Sequence, residues 1–220
     1  DALDAYALQS HQRAAAARAH WTGQIVPVQA RSQEAGALGE VHAHDEGVRA
    51  NATLEGIASV KLLQEGGVIS AANASQLCDG ASGVMVVNER GLQALGVQPL
   101  ARVHHMSVLG HDPVIMLEAP IPATQRALQK TGLRLSDIDL YEVNEAFASV
   151  ALAWQKALHA DPARLNAQGG AIALGHPLGA SGTRLATTLI HALHQTRGRY
   201  GLQTMCEGGG MANVTVFERC

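Results

Sequence analysis

Beyond residue 72 the apolar positions alternate between short β-like runs and amphipathic helical runs, each pair punctuated by glycine. That alternation predicts a layered α/β fold. Gly83–Val87 reads as a buried strand followed by a short helix that stops near Gly96, and Ala101–Val108 as the next strand. Prolines at its start and Gly132 at its end bracket a helix over Ile121–Lys130. Ile138–Val143 alternates as a strand does and leads into a helix whose stripe is Phe147, Val150, Ala151, Trp154 and Leu158. Leu185, Leu189, Ala192 and Leu193 mark a further helical face, and Leu202–Cys206 with Asn213–Phe217 a closing hairpin. Residues 1–72 are Ala-rich, charged and less regular. There Leu3, Ala7, Leu8, His11, Ala14, Ala15 and Ala19 keep helical spacing, and a second helix is expected around Leu54, Ile57, Ala58, Lys61 and Leu62, halted by Gly66-Gly67. Ile25–Val28 reads as a short edge strand, because Pro27 cannot donate to a ladder.

Composition narrows the picture. Of the 220 residues 47% are hydrophobic and only 3% aromatic, so the core must be built from Ala, Val, Leu and Ile. A net charge of −3 and the lack of any Lys/Arg run exclude an extended nucleic-acid footprint, while leaving room for one local basic contact to a phosphate. No stretch approaches the roughly 18 uninterrupted apolar residues of a membrane span. The three cysteines, Cys78, Cys206 and Cys220, have no CxxC spacing, which argues against a zinc site or a disulfide framework and for a reducing cytoplasm.

Candidate chemistry falls in three segments that follow expected strands or fill glycine-rich loops, where open α/β sheets place ligands. They are Asn144–Ala148 (NEAFA), Gly169–Gly182 (GGAIALGHPLGASG) and Cys206–Gly210 (CEGGG). A thiol before three glycines lies beside unshielded backbone amides that can stabilise an oxyanion, yet Cys206 taken alone better fits a buried structural thiol. His176, between Gly175 and Pro177, is a histidine that a substrate can approach closely and a natural base for a thiol; it is also one of 11 histidines. Asn144 at the start of a helix is ordinarily an N-cap, and alternatively an amide that holds a water or a carbonyl. The glycine-rich loop is neither GxGxxG nor GxxxxGK[ST], so a phosphate loop is poorly supported.

NEAFA, GGAIALGHPLGASG and CEGGG in this order, with Asp45–Arg49, Ala71–Ser75 and Asp79–Ala81 upstream, resemble the thiolase family over essentially the whole chain. The resemblance implies an α/β thiolase-like fold of layered helices and mixed β-sheet. It also implies an acyl-CoA C-acyltransferase of fatty-acid metabolism and β-oxidation, which converts 3-ketoacyl-CoA and CoA to acyl-CoA and acetyl-CoA, or condenses in reverse, through a cysteine acyl-enzyme. By the same resemblance His176 activates the nucleophile and helps bind the thioester oxygen, Cys206 shuttles the α-carbon proton, Asn144 holds a water that completes one oxyanion hole, and the Gly208 amide serves a second. Met116 and Phe147 would line the acyl pocket, and coenzyme A, a substrate and not a resident cofactor, would lie along Arg49, Ala71, Ser75 and Leu77. Arginine suits the nucleotide end because its charge attracts phosphate and its flat face stacks on adenine.

The family nucleophile sits in a Cys-Gly-Ser-Gly-like segment that these residues do not contain. The expectation is therefore a chain with the leading half of the duplicated core missing: residues 1–72 from a loop domain, 73–97 the tail of the N-terminal half, and 98–220 the C-terminal half. Acyl-CoA and CoA are the expected partners, with a homodimer or homotetramer for the complete protein, no nucleic acid, no membrane and no metal. Two other readings stay open. A ketoacyl synthase-like condensing enzyme also carries a histidine in its glycine loop, though it places His or Asn where NEAFA and CEGGG stand here. A non-catalytic half-domain that binds coenzyme A or a partner is the other.

Overall fold

The computed structural model describes residues 1–31 and 38–220; the stretch 32–37 of the irregular first zone lies outside the described residues. Among the described residues the α-helices are α1 (Ala2–Ala17), α2 (Leu54–Ala58), α3 (Glu89–Leu95), α4 (Pro120–Thr131), α5 (Ala148–Leu158), α6 (Ala171–Leu174) and α7 (Ser181–Thr196). The strands described are β1 (Val28–Arg31), β2 (Leu38–His42), β3 (Ala101–Gly110), β4 (Leu140–Val143), β5 (Tyr200–Glu207) and β6 (Met211–Arg219). β1 and β2 pair antiparallel as a small separate ribbon, while the main sheet has the order β3-β6-β5-β4. Within it β3, β6 and β5 run antiparallel and β4 joins β5 in parallel.

Strand periodicity divides the core between the two faces of this sheet. Tyr141, Val143, Leu202, Val214 and Val216 point one way, onto Ala123 and Ala127 of α4, Ala151 and Trp154 of α5, and Tyr6 and Ala7 of α1. Leu140 and Phe217 point the other way, onto Ala186, Leu189, Ala192 and Leu193 of α7. Alanine dominates the helix faces, so helices approach the sheet closely. The largest side chain enclosed is Trp154, whose indole N–H donates to Thr124 Oγ1 at 2.9 Å. β4 is buried on both faces, as a strand joined in parallel by helix-containing crossovers should be.

Most expected elements form. The hairpin of β5 and β6, the helix stopped at Gly132 in the left-handed conformation, and the helix after NEAFA stand where the pattern puts them. Three expectations are corrected. Gly83–Val87 is not a buried strand: it has no regular structure, and Met85 and Val86 are each 78% exposed. An apolar run becomes a strand only when another strand takes up its backbone hydrogen bonds, and among the described residues no strand lies beside it. The helix from Leu54 ends at Ala58, with Ser59 as its C-cap, short of Lys61 and Leu62. The edge strand starts at Val28, just past Pro27, and not at Ile25.

Candidate active site

The three motif segments meet at the end of the main sheet where β4 and β5 finish. Asn144 directly follows β4, and its backbone N–H donates to Thr204 O of β5 at 3.0 Å, which extends the parallel pairing by one residue. It is therefore no N-cap; that position belongs to Phe147. Between NEAFA and the glycine-rich loop runs the segment 73–76. Ser75 N–H donates to Ala146 O, Gln76 N–H to Ala171 O, and His176 N–H to Gln76 O. The Gln76 side chain reinforces this bridge, with its amide nitrogen within 2.7 Å of Ile172 O and 3.0 Å of Gly47 O.

His176 is held at both ring nitrogens. Its Nδ1 lies 2.5 Å from Ser181 Oγ, and that hydroxyl donates onward to Pro177 O at 3.0 Å. With its hydrogen committed there, Ser181 accepts from Nδ1–H, which leaves Nε2 as the unprotonated nitrogen. Asn144 Nδ2 stands 3.2 Å from Nε2 and donates to it. Burial lowers the pKa of His176 below its ordinary value, so the ring stays neutral at pH 7 and Nε2 keeps its lone pair. Gly175 before it has φ +86°, and a side chain there would collide with the Cys78 sulfur. Only glycine lets the chain pass at this point.

Asn144 is 1% exposed, and its Oδ1 accepts no hydrogen bond from any described group. Next to it Glu145 is fully buried and serves as a hub. It accepts from Tyr6 Oη at 2.9 Å, Ser10 Oγ at 2.7 Å, Asn166 Nδ2 at 3.0 Å and the Ile172 N–H at 3.1 Å. Burial raises its pKa, while these donors pull it back down. Gly170 passes so close that a Cβ would strike the Glu145 carboxyl, so this glycine is required by the packing of the loop on the hub.

Cys206 lies in the last turn of β5, half-buried, with its thiol pKa raised by burial. Gly208 follows it in the exposed turn, where Gly209 and Gly210 take positive φ. Gly210 O accepts from the His111 N–H at 2.7 Å, which ties this turn to the loop of Met116, itself half-buried with φ 55°. Phe147 is half-buried beside Ala74.

Beside the bridge segment opens a cavity of about 380 Å³, lined among others by His11, Arg49, Thr53, Ile57, Ala71 and Gln76. Of the residues expected along coenzyme A, Arg49 and Ala71 line it; Ser75 sits half-buried next to it in sequence, and Leu77 points fully into solvent. His11, buried in α1, accepts the Arg49 backbone N–H on Nδ1 at 3.2 Å and so fixes the arginine's place at the rim. His11, Ser181 and Glu145 were not singled out from sequence. The serine and the glutamate sit inside quoted motifs, and that is the one signal that pointed to them. Among the described residues no cluster of three or more His, Cys, Asp or Glu is arranged to hold a metal, and no helix is long and apolar enough to cross a membrane.

Residues 97–219 match the family model for the thiolase C-terminal domain, and residues 1–90 that for the thiolase N-terminal domain. The chain belongs to the thiolase family. It is 52% identical over 219 residues to the steroid 3-ketoacyl-CoA thiolase FadA6 of Mycobacterium tuberculosis, covering 99% of this chain and 52% of that protein. It is 44% identical to a 3-ketoacyl-CoA thiolase of Aliivibrio fischeri, covering 98% and 57%. The chain thus spans about half the length of the curated relatives it matches. Among solved structures, the acetyl-CoA acetyltransferase of Bacillus anthracis superposes with TM-score 0.91 at 36% identity, over 100% of this chain and 56% of that one. Human mitochondrial 3-ketoacyl-CoA thiolase in complex with CoA gives TM-score 0.89 at 37% identity, over 99% and 54%. The fold is the mixed α/β thiolase fold.

Proposed function

We propose that the protein carrying this chain performs thiolase-type acyl transfer between 3-ketoacyl-CoA and CoA, or the reverse condensation. The observation that carries this reading is the convergence of Asn144 Nδ2 and His176 Nε2 at 3.2 Å, with the opposite ring nitrogen tied to Ser181. A neutral imidazole with a free lone pair takes a proton from a thiol. Once protonated, the same nitrogen and a water held by the asparagine amide stabilise negative charge on a thioester oxygen. Cys206, kept as a thiol by burial, is suited to donate a proton to the departing enolate and to recover it from the next substrate. The Gly208 amide, in an exposed turn beside it, is suited to a second oxyanion. The nucleophile that forms the acyl-enzyme lies in a Cys-Gly-Ser-Gly segment, which these 220 residues do not include.

In this reading coenzyme A enters along the cavity that holds Arg49 and Ala71 and runs past the half-buried Ser75 and the exposed Leu77, with Met116 and Phe147 toward the acyl end. The division into a loop-domain zone (1–72), the tail of an N-terminal half (73–97) and a C-terminal half (98–220) belongs to the same proposal. So do a cytoplasmic location and a homodimeric or homotetrameric assembly. The uncovered apolar residues Met85, Val86, Met106 and Val108 offer a surface for further packing. The test is thiolysis: purified protein is mixed with a 3-ketoacyl-CoA and CoA, and formation of the shortened acyl-CoA is followed. Cleavage by a protein that pairs these residues with the nucleophile segment, and none by the 220-residue chain alone, is expected. Saturable CoA binding without turnover in both would instead make it a binding module.

A further inference from the structure

Glu142 has no part in the chemistry above, yet it lies two residues before Asn144 on β4 and therefore on the same face of the sheet. That face looks toward α7, and between them lies a small, partly open cavity of about 10 Å³, lined by Glu142, Asn144, Gly170, Gly175, Ser181 and Arg184 among others. Glu142 is 3% exposed and Asn144 1%. Glu142 Oε2 and Asn144 Oδ1 are both enclosed, and neither is hydrogen-bonded to any described group. Two enclosed acceptors on the wall of one cavity, in a space that suits a single water, make a site for a bridging water, because an unpaired buried oxygen is costly.

We propose that Glu142 is a positioning residue for Asn144, acting through one water held in this cavity. The two ends of an asparagine amide have nearly the same shape, so its orientation is set by its partners alone. A water that donates to Asn144 Oδ1 holds the oxygen toward the cavity and so turns Nδ2 toward His176. Without it the orientation is held only by the bond to His176 Nε2, and in any flipped amide the oxygen faces the lone pair of that nitrogen. Burial raises the Glu142 carboxyl well above the usual range, with nearby Glu145 adding to the rise and Arg184 and Arg13 opposing it. The bridge does not depend on that charge, since a carboxylic acid, a carboxylate and an amide can each bond the water. This inference rests on the acyl-transfer reading only for its kinetic consequence.

Glu142→Gln and Glu142→Leu separate the outcomes, because glutamine keeps a bond to the water and leucine does not. The expected result on the purified chain is that Gln leaves the Asn144 side-chain amide NMR resonances and the His176 imidazole pKa as in wild type. Leu should shift both. In thiolysis by a protein that also carries the nucleophile segment, Leu should lower kcat by ~10-fold or more, short of the ~10²–10³ lost when an oxyanion donor is removed outright, with KM for CoA unchanged. A wild-type crystal structure at atomic resolution should place one water within hydrogen-bond reach of both oxygens, which tests the claim even if the Leu variant does not fold. A dry cavity, or Asn144 resonances indifferent to Glu142→Leu, would overturn the proposal. A wild-type protein that also carries the nucleophile segment, yet shows no thiolysis, would instead sink the acyl-transfer reading, and the resonances would still decide the role of Glu142.

Discussion

At the scale of the residue, burial sets His176 and Cys206 apart in opposite directions. It lowers the histidine below its ordinary 6.5 and raises the thiol above its ordinary 9.0. Both shifts favour the uncharged form, so at neutral pH the histidine is a free base and the cysteine an intact acid. For the histidine the base form is lost only as pH falls through the lowered value. For the cysteine the acid form is lost only as pH rises through the raised one. The pH profile of kcat/KM should accordingly show an acid limb centred below 6.5 and an alkaline limb centred above 9.0. An acid limb at or above the ordinary histidine value would mean that His176 titrates in solvent and is not the base. These environments were only half legible in the sequence. The glycines around His176 and Cys206 marked them as approachable, but Ser181, which fixes the tautomer, is an ordinary serine until the Pro177 turn brings it within 2.5 Å of the ring.

At the scale of the element, α1 explains why a readable helix still hid its purpose. Its period was plain, yet the face it buries comprises Tyr6, Ala7, Ser10, His11, Ala14 and Ala17, a mixture of small and polar groups. Ser10 and Tyr6 are there to donate to Glu145, 135 and 139 residues further along, and His11 to accept from Arg49. Partners so distant leave no mark on local amphipathicity. The converse failure is Gly83–Val87, whose apolar composition was clear but whose strand pairing no local signal could supply. The α1–Glu145 connection carries a stability prediction. Tyr6→Phe removes a donor to the buried carboxylate and the acceptor of one Asn166 hydrogen bond. It should cost about 1–3 kcal/mol in urea unfolding. A variant as stable as wild type would mean that water readily replaces the phenol and that α1 is not anchored through the hub.

At the scale of the molecule, the sheet order β3-β6-β5-β4 brings the ends of β4 and β5 side by side, and with them Asn144 and the CEGGG turn. The run of residues 73–76 then ties the glycine-rich loop to NEAFA through backbone hydrogen bonds, reinforced by the Gln76 side chain. The layered α/β class and the later elements could be read from periodicity. The meeting of three motifs could be read only from their joint resemblance to a family, because no local pattern encodes a parallel pairing of strands separated by residues 144–199. In the proposed acyl transfer this meeting forms an acid–base site with Cys206 as the proton shuttle and His176 as the base of the nucleophile. The most direct measurement is made on Cys206→Ser in a protein that also carries the acyl-accepting cysteine. Acylation by acetyl-CoA and exchange of the acetyl-CoA α-proton with solvent deuterium are followed in parallel. Serine keeps the shape but is far less acidic, so exchange should fall by about 10²–10⁴ while acylation largely survives, and His176→Ala should impair both. Wild-type exchange in Cys206→Ser would contradict the account and leave Cys206 a structural residue of β5.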